Sequence, residues 1–319
     1  MIRTDSIHCL LDCWAEILNT KNIDYRPLFS GVWNAQFGVT ESGISYHTGM
    51  QDPLDWPDRC FRLFGLTFTH WCGPEQANMD CLTEHLRLQE GREVAGIMYM
   101  DLYLMPYSMH YQVKHVPHSI LVVYTGQPEP EAWYIKDPYF QWEGTLPVDV
   151  MAKGFLMGFA VDFSNAHPAE DATVSSLFRE DTGSAPCRLA METERIVGEA
   201  VRQHGGYAPD HLLASVQEAG TVAKRFIGYQ YILDYLSERT GCDPRAGTDA
   251  VQLLRKGWES LMLVIARFCI LKQPVDLAEF RKKLDKLEAC EQTAKNEINR
   301  ALSLLEDPQV AQDRTMVGG

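Results

Sequence analysis

The apolar positions change period several times along the first half of the chain. Leu10, Trp14, Ile17 and Leu18 recur at helical spacing and predict a helix from about His8 to Asn19, with Ser6 placed to cap it. Residues 26–60, rich in Gly, Pro, Asp and aromatics, read as long structured loops. Asp80–Glu90 suits a second helix stopped by Gly91. Four short apolar runs follow that suit strands: Val94–Met100, Ser119–Tyr124, Trp133–Lys136 and Met157–Phe163. The simplest assembly is an antiparallel sheet beside an N-terminal helix.

The pattern changes near residue 165. Asn165–Pro186 carries Pro, Asp, Ser, Gly and Thr and reads as a linker. From Leu189 the spacing is helical almost throughout, with helices expected over 190–204, 210–239, 248–271 and 276–305, a bundle of three or four. The fold class is therefore α+β, with an all-α second part. The divisions expected are a catalytic domain over 1–165, a linker over 166–188, a helical bundle over 189–306 and a disordered tail over 307–319.

Charge narrows the partners. The chain has 29 Lys+Arg against 43 Asp+Glu, a net −14. Residues 1–165 hold 10 basic and 20 acidic side chains, hence −10, which leaves −4 for the remainder. Nucleic acid and anionic membranes need clustered positive charge and are not expected as partners; a cationic substrate such as a polyamine suits the balance. The longest apolar stretch, Leu261–Leu271, is interrupted by Arg267 and falls far short of the roughly 20 residues a membrane span needs. Asp5 and Asp12 interrupt any signal-like apolar run, and the nine cysteines lack framework spacing. A cytoplasmic protein with reduced thiols is the expectation.

Capped by Ser6, Cys9 would be the third residue of the first helical turn, where unpaired N–H groups and the helix dipole favour a thiolate. Position alone also allows Cys9, like Cys13, to be a small core residue. A nucleophilic cysteine needs a base that a third group orients. His118 opens the SILVVY strand and Asp137 closes the WYIK strand, so adjacent antiparallel strands bring both to one sheet edge. His110, His115 and His118 do not share a strand face, and no metal site is expected. His8 points away from its neighbour Cys9 and reads as a cap or wall residue. Asp101, at a strand end, suits an amine ligand or the brace of the following turn. Trp33, Trp56, Tyr103, Tyr107 and Tyr139 are candidates for an aromatic wall, Trp33, Tyr107 and Tyr139 being taken with Asp101 as substrate-binding. With no Gln or Asn upstream of Cys9, the oxyanion hole would combine the Cys9 N–H with a donor such as Asn34 or Gln36.

The IHC at the N-terminus, MDLYLMPY, HSILVVYTG and YIKDPYF together resemble the butirosin-biosynthesis BtrH-type N-terminal domain. The resemblance covers about residues 5–163 and implies a papain-like fold and acyl transfer from a carrier-protein thioester to an amine. It implies Cys9 as nucleophile, His118 as base and Asp137 as its orienting acid, with Asp101 matching the acid before the family's LPY turn and His115 a competitor for the base. Size and the helical half resemble the petrobactin branch of siderophore biosynthesis. That implies transfer of a 3,4-dihydroxybenzoyl group from an aryl carrier protein to spermidine or a spermidine–citrate conjugate. No cofactor is implied beyond the carrier's phosphopantetheine. The alternatives are a papain-like cysteine peptidase or amidase on the same triad, and a non-catalytic binding protein with a structural Cys9. The helical half is open to three roles: capping the site, docking the carrier, or forming a homodimer.

Overall fold

The structure is a computed structural model that describes residues 6–34, 37–46, 56–88, 94–123, 131–182 and 188–306. The chain divides into two compact units, one comprising residues 1–28 and 54–169, the other residues 29–53 and 170–319. The expected tail over 307–319 lies outside the described residues.

The first unit is built on helix α1 (Cys9–Thr20) and a six-stranded antiparallel sheet. Its strands are β3 (Thr67–Trp71), β4 (Val94–Asp101), β5 (Pro117–Val123), β6 (Ala132–Asp137), β7 (Trp142–Pro147) and β8 (Phe155–Asp162), in the spatial order β3-β8-β4-β5-β6-β7. The four expected strands are thus present as β4, β5, β6 and β8. Two more, β3 and β7, were not anticipated, because TFTHW and WEGTLP contain no apolar run: β3 is exposed or half-buried throughout and β7 buries only Leu146, as befits the two edges of the sheet. The register pairs Met100 with His118 and Asp101 with Pro117, and Leu121 with Lys136.

Helix α3 (Glu75–Leu88) supplies Met79, Leu82 and Leu86 to a core shared with Met98, Ile120, Val122, Trp133 and Ile135. Gly96 matters there: a Cβ on it would stand 2.6 Å from Leu82 Cδ1, so glycine lets the helix approach the strand. Asn78, 1% exposed, ties the helix to the sheet by donating to Phe155 O at 3.0 Å and to Gly73 O at 3.0 Å. On α1, Trp14 is buried against Trp56 and Phe68, with ring centres 5.9 and 5.7 Å away. Trp56 opens helix α2 (Trp56–Phe64), so the expected loop over 26–60 ends in a helix; it is a core residue, not an open wall.

The second unit contains the hairpin β1 (Gly38–Thr40) and β2 (Gly43–Ser45) and six helices among the described residues. These are α5 (Asp171–Thr182), α6 (Leu189–Gln203), α7 (Leu212–Ala223), α8 (Gly228–Thr240), α9 (Arg245–Leu271) and α10 (Leu277–Leu305); α4 (Val148–Gly154) is in the first unit. The expected helix over 210–239 is broken by a 3-10 turn at Lys224–Ile227 into α7 and α8. The linker expectation over 166–188 is corrected. Its polar composition hides Val174, Leu177 and Phe178 at i, i+3 and i+4, and these bury one face of α5.

Residues 29–53 also depart from the expected division. Phe29 stacks on Tyr231 at 4.8 Å, and Arg225 lies 4.2 Å over the Tyr46 ring. Gly43, with φ +126°, leaves no room for a Cβ against the Ser215 carbonyl of α7. These aromatic and backbone contacts bind the segment to the helical unit by tertiary packing, which local composition does not reveal.

Candidate active site

Cys9 is the first residue of α1. His8, in extended conformation with φ −157°, is the N-cap, so the capping role expected of Ser6 is corrected. Ser6 Oγ instead donates to Tyr139 O at 2.6 Å, fastening the segment before the helix to the β6–β7 turn. The shift places Cys9 earlier in the turn but keeps it among the amides that have no intrahelical acceptor.

Strand alternation explains how the other groups reach it. Ile120 and Val122 point into the core from β5, and Trp133 and Ile135 do so from β6. A period of two puts His118 and Asp137 on that same face, at the end where β5 starts and β6 stops. His118 Nε2 meets Asp137 Oδ2 at 2.9 Å, with His118 4% and Asp137 0% exposed. Cys9 also hydrogen-bonds the imidazole, leaving Nδ1 as the nitrogen that serves the sulfur. The chain order Cys9, His118, Asp137 is therefore also a contiguous line in space.

Asp137 is saturated with donors. Its Oδ1 accepts from the Tyr139 and Phe140 amides, each at 3.1 Å, and its Oδ2 accepts from Tyr107 Oη at 2.8 Å as well as from His118. Burial alone would lower the His118 pKa. The charge of Cys9 and the hydrogen bonds to Asp137 and Cys9 outweigh it and lift the value to about 10. Burial and the Asp137 charge push the Tyr107 phenol far up, so it remains a donor.

Tyr107, read from sequence as an aromatic wall, thus bonds Asp137 and stacks on Trp142 with ring centres 4.1 Å apart. Tyr139 stands edge-on to His118 at 5.5 Å, and Phe140 lies 5.1 Å from the same ring. Phe140 and Trp142 were missed; the YIKDPYFQW run supplies them, but no periodicity distinguishes them from packing.

Asp101 braces its turn. Its Oδ1 accepts from the Tyr103 and Val116 amides, and its Oδ2 meets His115 Nδ1 at 2.6 Å. Burial would raise the Asp101 pKa, but the hydrogen bonds from His115, Tyr103 and Val116 hold it below the usual range. His115 is 75% exposed and stacks on Tyr103 at 4.3 Å. It is His118 that the structure sets against Cys9. Trp33 and Asn34 belong to the second unit, where Trp33 meets Tyr229 edge-on at 5.3 Å and Asn34 Oδ1 accepts from Lys295 Nζ. Gln36 lies outside the described residues.

A cavity of about 820 Å³ adjoins the triad through Asp137 alone. Its wall is formed by Asp12 and Glu16 of α1, Asp24, Arg26, Lys136 and Glu143, and neither Cys9 nor His118 borders it.

Cys9, His118 and Asp137 thus form a buried line on a helix start and two strand ends. Residues 4–162 match the DUF6005 N-terminal domain family. Over 310 residues the chain is 25% identical to petrobactin synthase of Bacillus anthracis, covering 92% of this chain and 93% of that protein. The likeness read from the N-terminal motifs therefore extends through the helical unit.

Proposed function

We propose that the protein is a cysteine-dependent acyltransferase of siderophore biosynthesis. In this reading it moves a 3,4-dihydroxybenzoyl group from a carrier-protein thioester to a primary amine of spermidine or a spermidine–citrate conjugate. The observation that carries this reading is the Cys9–His118–Asp137 line, a papain-like constellation; the petrobactin synthase likeness supplies the pathway.

The cycle starts from a Cys9 thiolate beside a His118 imidazolium. Sulfur attacks the thioester carbonyl, and the α1 N-terminal amides offer donors to the oxyanion. Collapse expels the carrier's thiolate, which takes the His118 proton and leaves acyl-Cys9 beside a neutral imidazole. Acylation has now removed the sulfur charge that raised the His118 pKa. Burial then pulls that pKa down, and His118 becomes a base when one is needed. The amine attacks acyl-Cys9, His118 accepts its proton, and collapse releases the amide and restores the ion pair. No cofactor enters, since the donor arrives on the carrier's phosphopantetheine.

Intact-protein mass spectrometry tests this directly. Mixing the protein with a 3,4-dihydroxybenzoyl thioester should add one aroyl group to Cys9, and spermidine should discharge it as aroyl-spermidine. An adduct cleared equally fast by water with spermidine absent or present would instead indicate a hydrolase. No adduct on the wild-type protein would refute the covalent mechanism.

A further inference from the structure

The segment joining β4 to β5 departs from the rest of the chain in charge and in surface. Residues 102–128 contain no Asp or Glu in a protein whose net charge is −14. Lys114 is exposed there, with His110 and His115 on either side of it in the same turn system. Three of the first unit's five exposed large apolar side chains, among the described residues, lie within five positions of this segment: Met109 at 80%, Tyr111 at 40% and Val113 at 75%.

The segment is ordered despite this exposure. Leu102 N bonds Val116 O at 2.9 Å, Gln112 N bonds Tyr103 O at 2.9 Å, and Lys114 N bonds His110 O at 3.2 Å. It is continuous with the site at both ends, giving Tyr107 to Asp137 and running directly into His118. The charge of His118 also reaches His110, whose pKa is lowered chiefly by burial, then by Lys114 and His118. Exposed apolar side chains held in a hydrogen-bonded loop, beside the exposed Lys114 ammonium and next to Cys9, have the make-up of an interaction patch.

We infer that the loop around Met109, Tyr111, Val113 and Lys114 is the docking surface for an acidic carrier protein that delivers the acyl thioester to Cys9. The inference rests on the acyltransfer reading. Carrier proteins of this kind are acidic, and most of this chain would repel one. The loop sets three exposed apolar side chains beside the positive charge of Lys114, and a carrier seated there lies next to His118.

The test compares two donors of the same aroyl group, the acidic carrier and the small thiol N-acetylcysteamine. It uses the full-length wild type, Lys114→Glu and Met109→Asp/Val113→Asp, with Cys9 acylation as readout. Each variant should raise KM for the carrier-bound donor roughly tenfold at low salt, the Lys114→Glu effect shrinking as salt is added. Acylation from the small thioester should be unchanged. Equal losses with both donors, or no loss with either, would overturn the docking role while leaving acyl transfer intact. So would a concentration-dependent mass that Lys114→Glu abolishes with KM unchanged, since a second copy of this chain would then occupy the patch. Failure of the wild type to accept the aroyl group from the small thioester would instead refute the acyltransfer reading and this inference with it.

Discussion

Tyr107 and Asp137 are 30 residues apart in sequence, yet the Tyr107 hydroxyl donates to Asp137 Oδ2 at 2.8 Å, the same oxygen that holds His118 Nε2. Tyr107 therefore helps fix the lone pair that orients the imidazole, and its stack on Trp142 keeps the phenol in place. Tyr107→Phe retains the stack and removes the donor. A hydrogen bond to a charged partner is worth about 1.5–3 kcal/mol, and stability should fall by an amount of that order. Acyl transfer should fall roughly tenfold in kcat with KM little changed, as expected of a positioning residue. A variant with wild-type kcat and a raised KM would mean that Tyr107 contacts substrate instead.

His118 gives a prediction in pH. Its pKa is raised from 6.5 to about 10 against the opposing pull of burial, first by the Cys9 charge and then by hydrogen bonds to Asp137 and Cys9. Because the folded value lies above the unfolded one, the imidazolium's stabilising effect is complete below about 6.5 and is lost as pH rises through about 10. If the proposed cycle holds, Cys9 acylation should follow the same alkaline limb, since in that cycle the departing thiolate takes its proton from His118. In Cys9→Ala the leading upward contribution is gone, so the His118 titration followed by NMR should move to lower pH. An unmoved titration would show that the sulfur carries no charge beside the ring.

Much of this site was legible in the sequence because strand geometry is periodic. A His opening one apolar run and an Asp closing the next can meet only at one sheet edge, and β5 and β6 place them there. The Tyr107 bond was not legible: it depends on how a turn of irregular backbone folds back, and no residue spacing encodes that. Ser6 likewise looked like a cap from its type and position, whereas a carbonyl at Tyr139, 133 residues away, holds its hydroxyl. In the fold, the apolar strands and long helices were readable. The edge strands β3 and β7, helix α5 and the allegiance of residues 29–53 were not, because tertiary burial decides them.

That allegiance can be measured. Phe29 is fully buried and stacked on Tyr231, so truncation removes a core aromatic from the helical unit. Phe29→Ala should cost about 3–5 kcal/mol. Hydrogen exchange should accelerate across α8, α9 and α10 well before β4 and β5. Loosening that began in the β4–β5 ladder would contradict the division of the chain at Leu28.

The two histidines three residues apart provide the sharpest discrimination. His115 and His118 each pair with a carboxylate, at 2.6 and 2.9 Å, so pairing alone does not identify the base. Their surroundings do. His118 and Asp137 are sealed from water, and Cys9 supplies the second partner of the ring. His115 is mostly exposed, its Nδ1 is taken by Asp101, and its ring lies flat on Tyr103. Exposed ion pairs contribute little, commonly about 0–1 kcal/mol. With a small-molecule aroyl thioester as donor, His118→Gln should slow Cys9 acylation on the order of a thousandfold, the range general acid–base removal produces. His115→Gln should remain within about threefold of wild type, because an exposed pair has little coupling to transmit. Both rates come from one stopped-flow or quenched mass-spectrometric time course. A thousandfold loss in His115→Gln with a mild one in His118→Gln would transfer the base to the exposed dyad and undo the proposed cycle.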